Sequence, residues 1–157
     1  GGYEAVLIAD GGRMSAQAAP VLKAGGNNGI RLLGSELWSG ESVVTASPAM
    51  AGAWYSAISD SRWRQFSDSY RNRFGTPPYR IATLGYDSVL LTLRVAREWR
   101  PGTVFPTPRL FDPDGFLGLD GAFRFRSNGA IQRALEVYQV RAGGGDGVSP
   151  APGKVVN

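Results

Sequence analysis

Two short segments of this sequence carry residues whose types and spacing suit ligand chemistry. Asp10-Gly11-Gly12-Arg13 closes an apolar run, Glu4 to Asp10, that reads as a buried strand. In open α/β sheets, ligands bind outside the carboxyl ends of strands, and bare backbone N–H groups at such a turn hold anionic groups. The same residues also read as a plain strand-to-helix turn, with Gly supplying positive φ and Asp capping the helix. The third Gly of a dinucleotide fingerprint is missing. Glu36 follows a second apolar run in Gly34-Ser35-Glu36-Leu37-Trp38. A carboxylate beside Trp38 suits an ammonium ligand, through charge and cation–π attraction. The competing reading is a solvated loop acid beside a half-buried aromatic. Tyr86-Asp87 lies in an apolar helix, where Asp87 either faces a cleft or hydrogen-bonds a neighbouring loop.

Composition removes most catalytic alternatives. There is no Cys and no His, which excludes disulfides, thiolate catalysis and every Ser-His-Asp or Cys-His arrangement. No G-x-S-x-G occurs. Asp112, Asp114 and Asp120 are acids in a Pro/Gly-rich stretch, where Asp commonly forms Asx-turns. Asp112-Pro113-Asp114-Gly115 resembles half an EF-hand loop without the distal Glu. Neither an enzyme nor a cofactor or metal site is expected. The net charge of +4 comes almost wholly from Arg, spread along the chain with no basic run, so no nucleic-acid partner is expected. The apolar runs are too short to span a bilayer.

These segments need a framework to position them. Strand, Ala-rich helix (Met14 to Ala24) and strand (Ile30 to Leu33) joined by short Gly loops make a βαβ unit, hence parallel strands in an α/β sheet. Pro20 is expected to kink or split that helix. Ala53 to Ile58 suggests a third strand, and its Trp54 and Tyr55 read as core. Ser61 to Phe74 is amphipathic, with Trp63, Phe66, Tyr70 and Phe74 on one packing stripe and Gly75 as its cap. Tyr79 to Trp99 reads as a helix apolar nearly all round, and such helices are covered on most sides. Gly121 to Phe125 alternates with Phe123 and Phe125 on one face, and Asn128-Gly129 signals a hairpin turn. Ile131 to Arg141 reads as a strand with Leu135 and Val137 on one side. Residues 143–157 read as a flexible tail.

The order of YEAVLIADGGRMSAQAAPVLKAGG, GIRLLGSELW, GAWYSAI, FGTPP, GYDSVLL, GLDGAFRFRSNG and RALEVYQV resembles the C-terminal half of type 1 periplasmic binding proteins, the leucine-binding-protein-like group. Within it, the sequence is most similar to proteobacterial penicillin-binding protein activators. The resemblance covers residues 1–142. It implies two α/β lobes around a cleft, with residues 1–58 and 131–141 in the second lobe and 61–129 in the first. Asp10, Gly11, Gly12, Arg13, Glu36, Trp38 and Tyr86 then become cleft candidates. Glu36 matches the acid that pairs with a ligand ammonium in amino-acid binders. Asp10 stands where those proteins carry an aromatic, which departs from ordinary amino-acid binding.

The resemblance implies a periplasmic or envelope-associated protein. It would be held to the membrane only through an upstream lipid anchor, if at all. The first expectation is a non-enzymatic activator that docks to a penicillin-binding protein during peptidoglycan synthesis. The alternative is the substrate-binding protein of an ABC permease, with a branched-chain or other small amino acid in the cleft. The resemblance further implies that these 157 residues alone expose apolar surface and are poorly soluble. A compact, cooperative, monomeric melt of this chain alone would contradict that expectation.

Overall fold

A computed structural model of the chain describes residues 3–26 and 28–155. From the N-terminus its strands and α-helices are β1 (Ala5–Leu7), α1 (Gly12–Leu22), β2 (Arg31–Gly34), α2 (Ser42–Ala46), β3 (Trp54–Ala57), α3 (Asp60–Phe74), α4 (Ala82–Val95), β4 (Phe116–Gly118), β5 (Gly121–Phe125), β6 (Ile131–Arg133), β7 (Glu136–Arg141) and β8 (Gly144–Ser149). They fall into two compact units. Unit 1 runs to Ala57 and resumes at Glu136–Pro150; unit 2 takes Ile58–Leu135 and the end of the chain from Ala151.

Unit 1 is a mixed α/β layer with strand order β1-β2-β3-β7-β8. β1, β2 and β3 are parallel, as the βαβ pattern requires, and β7 and β8 add antiparallel strands. Leu32, Val44, Met50, Ala53, Ala57 and Val140 form its core with Trp38, Tyr55 and Tyr138. Each large side chain buried there contributes about 1.5–3 kcal/mol. Pro20 does not split α1. It lies in the last turn, where its missing N–H removes a single bond and Lys23 N–H still closes on Ala19 O at 3.1 Å.

The strand read from Ile131 to Arg141 is two strands. β6 pairs with β5 in unit 2, and β7 begins after Ala134-Leu135. The inward residues of β7 are Tyr138 and Val140, not Leu135 and Val137. Register explains this: β3 turns Tyr55 inward and pairs it with Tyr138, and the two rings stack at 5.6 Å between centroids. The expected mobile tail is also partly structured. Residues Gly144–Ser149 form β8 on the edge of the sheet, because Gly145 lets Tyr55 pass where any Cβ would overlap its hydroxyl.

Unit 2 contains the meander β4-β5-β6. Val95, Phe116 and Phe123 form its small core, with Leu91, Phe105, Leu110 and Phe125 packed around it. Two turns follow the sequence reading. Gly75 ends α3 at φ 79°, and Gly129 makes the β5–β6 turn at φ 83° with Asn128 Oδ1 accepting Ala130 N–H. Asp112 forms an Asx-turn, accepting Asp114 N–H at 2.9 Å.

α4 departs from expectation. It starts at Ala82, three residues later than read, behind the Thr76-Pro77-Pro78 break. It is covered on one side only: Thr83, Asp87 and Val95 are buried, whereas Val89 and Leu93 are 60% and 63% exposed. The stripe on α3 is likewise open; its rings touch one another but none is buried. Among the described residues no helix is long and apolar enough to cross a membrane.

Candidate binding site

The Asp10 turn is built on unit 1 by three local devices. Ile8 N–H donates to Leu33 O beyond the end of β1, carrying the β1–β2 pairing to the turn. Gly11 is the N-cap of α1 in extended conformation, and neither Gly11 nor Gly12 has positive φ, contrary to the turn reading. Gly12 is required for a different reason. A Cβ there would lie 2.7 Å from Val44 Cγ2 and 2.9 Å from Glu41 Cβ, so only Gly lets α1 approach α2.

The third device is Trp38. It is 1% exposed, and its indole N–H lies 2.9 Å from Ser15 Oγ and 3.1 Å from Asp10 O. Ser15 Oγ itself donates to Asp10 O at 3.2 Å. Trp38 therefore fastens the exit of β1 to the first turn of α1. Gly34 makes room for it, since a Cβ at 34 would overlap the indole ring. Of the two readings the sequence leaves open for Trp38, partner of an ammonium ligand or half-buried aromatic, its 1% exposure fits a residue packed in the core. Ser15 was not singled out from the sequence. Its place five residues after Asp10, in the first turn of a helix, is the only signal that marks it.

Asp10 is exposed, and its Oδ1 accepts Gly11 N–H at 2.6 Å. A carboxylate thus already stands at the head of α1, where the free N–H groups and helix dipole favour negative charge. Arg13 is exposed on the same turn. Glu36 opens the 3-10 turn Glu36–Trp38 and is exposed, with no ion pair among the described residues. Asp10, Gly11, Gly12, Arg13, Glu36 and Trp38 thus all lie at the C-terminal ends of β1 and β2.

Tyr86 belongs to unit 2. It is half exposed on α4, edge-on to Phe66 at 5.5 Å, and lines a cavity of about 620 Å³ with Arg62, Tyr70 and Arg73. Asp87 faces the β4–β5 turn, where it accepts Leu119 N–H at 2.8 Å. Tyr55 of β3 is a core residue, as read, whereas Trp54 beside it is only partly buried and lies outside the core. Among the described residues no three His, Cys, Asp or Glu side chains group as metal ligands do.

Neither a protein-family model nor a curated protein matches the chain. Solved structures do. A protein from Rhodospirillum rubrum described as a branched-chain amino acid ABC transporter matches with TM-score 0.74 at 23% identity, over 92% of this chain and 44% of its own. The substrate-binding protein LivJ of Streptococcus pneumoniae, solved with isoleucine, matches with TM-score 0.57 at 18% identity, over 97% of this chain and 46% of its own. The C-domain of LpoA from Haemophilus influenzae, a regulator of PBP1A, matches with TM-score 0.60 at 18% identity, over 92% and 44%. The chain spans less than half the length of each. Likeness at this identity establishes architecture. The chain has the fold of type 1 periplasmic binding proteins, shared by amino-acid binders and by LpoA.

Proposed function

We propose that the chain is part of a non-enzymatic envelope protein that acts in peptidoglycan synthesis by docking to a penicillin-binding protein. Unit 1 is then the main part of the second lobe and unit 2 the part of the first lobe present here. The observation that carries the reading is Asp10. Its carboxylate occupies the first N–H at the head of α1 and repels a ligand carboxylate arriving there. The Trp38 indole N–H, a second donor that could meet a ligand carboxylate, is likewise committed internally. The likeness to the LpoA C-domain supplies the partner class.

The test is binding of the intact protein to the periplasmic part of a bifunctional penicillin-binding protein. Saturable binding at about micromolar affinity or tighter is expected, in the range of specific transient complexes. Absence of binding at tens of micromolar, about −6 kcal/mol, rejects the reading.

One observation favours a second reading, a substrate-binding protein for a small amino acid. Glu36 is exposed and unpaired among the described residues, at the C-terminal end of a parallel strand. If it holds an ammonium, Glu36→Ala in the intact protein weakens amino-acid binding at least about tenfold, the worth of a charge-assisted hydrogen bond. Calorimetry against an amino-acid panel measures it. Unchanged affinity removes Glu36 from the site.

A further inference from the structure

The opposite edge of the parallel strands carries a second polar pocket. Its walls are the starts of β2 and β3, namely Arg31, Leu32 and Ala51–Ala53, together with Lys23 after α1 and Gln139 on β7. The cavity measures about 290 Å³, and among the described residues no carboxylate lines it. Unit 1 has four cations (Arg13, Lys23, Arg31, Arg141) against six acids (Glu4, Asp10, Glu36, Glu41, Glu136, Asp146). Two of the four cations face this one pocket although acids outnumber cations in the unit. Neither Lys23 nor Arg31 forms an ion pair among the described residues, whereas Arg141 is paired with Asp146.

Arg31 is also held in place. Its Nη1 donates to Gly52 O at 2.7 Å, and its guanidinium lies 4.6 Å from the centroid of the Trp54 ring. A guanidinium fixed on a carbonyl and an aromatic face keeps its remaining N–H groups aimed with little entropy left to lose. The amide of Gln139 and the ammonium of Lys23 add further donors.

We propose that this pocket binds a small oxyanion, a phosphate or a carboxylate, through Arg31 and Lys23. It is separate from the Asp10 turn, which lies at the other end of the same strands, and it stands whether or not the partner reading holds. Trp54 reports on the site, because an anion drawing on Arg31 changes the cation over its ring.

The test titrates the intact protein with inorganic phosphate and, separately, with acetate, at constant ionic strength, following tryptophan fluorescence and calorimetry. Saturable millimolar binding of either anion is expected, and the tighter one identifies the chemical source. Arg31→Gln weakens it at least about tenfold, as loss of a charge-assisted contact does. Since Arg31 also supports Gly52 and Trp54, Lys23→Gln serves as the variant that leaves the local fold alone, and it too weakens binding. Trp54→Phe removes the fluorescence response while calorimetric binding persists. No saturation by either anion, or wild-type affinity in both charge variants, overturns the proposal.

Discussion

Replacing Trp38 by Ala is expected to cost unit 1 about 3–5 kcal/mol, the range for removing a large buried aromatic. The side chain is 1% exposed and is among the largest buried side chains of this unit's core. Its loss also leaves Asp10 O and Ser15 Oγ without the indole donor that joins them. The converse substitution tests the same packing from outside. Gly34→Ala drives a methyl group into the indole and costs about 1–3 kcal/mol by overpacking. In the Trp38→Ala background the same Gly34→Ala change becomes nearly free, because the clashing ring is gone. The two substitutions therefore couple by about 1–3 kcal/mol. Hydrogen exchange of the α1 and β2 amides in the intact protein reads the stability of this region. Additive effects of the pair would show that Gly34 is a glycine for some other reason.

The same geometry links stability to the candidate site. Asp10 O is the acceptor that Trp38 and Ser15 share, so the turn bearing Asp10 and Arg13 is positioned by a buried indole as well as by the close approach that Gly12 allows. A Trp38 variant that still folds should loosen the turn and alter whatever Asp10 contacts, while leaving unit 2 intact.

What was legible in the sequence follows from how local each signal was. The βαβ unit, the third strand, the α3 cap at Gly75 and the Asn128-Gly129 turn all depend on residues within a few positions of one another, and they are where the sequence places them. The facing of β7 depends on Tyr55, some eighty residues away, and could not be read from Leu135 and Val137. β8 depends on Gly145 clearing the Tyr55 hydroxyl, so a glycine-rich stretch that looked mobile is a strand. Gly12 reads as a turn glycine but is, like Gly34, a close-approach glycine, a property set by α2 and Trp38. Trp38 stays open in the sequence between a ligand partner and a packed aromatic, because its neighbour Glu36 is chemically suggestive. Its burial depends on Ser15 and Gly34, which carry no motif. The exposure of α4 was not legible from that helix alone, whose composition suits a covered helix.

α4 is held to its sheet by polar groups as well as by the Val95–Phe116–Phe123 core, and a second substitution pair tests the polar part. Asp87, buried on α4, accepts Leu119 N–H at 2.8 Å, and its other oxygen lies 3.4 Å from Asp120 N. These amides form the two-residue turn between β4 and β5. One turn of helix earlier, Thr83 Oγ1 donates to Asp120 Oδ2 at 3.0 Å, and Arg80 pairs with Asp120 Oδ1 at 3.2 Å. Helix and turn are thus clamped from both directions, beside the packing of Val95 and Leu91 on Phe116 and Phe123, while Val89 and Leu93 stay exposed. Asp87→Ala strands a buried amide and should destabilise unit 2 by about 1–3 kcal/mol, with Asp87→Asn recovering part of the loss through its remaining acceptor oxygen. Gly118 packs against this carboxylate so closely that a Cβ would overlap it. Gly118→Ala alone should cost a similar amount, by forcing Asp87 off the turn. Combined with Asp87→Ala it should cost measurably less than the sum, by about 0.5–3 kcal/mol. Denaturation of the intact protein, followed by hydrogen exchange at the β4–β5 amides, resolves the difference. If Asp87→Ala leaves those amides as protected as in the wild type, the carboxylate is not what holds α4 to its sheet.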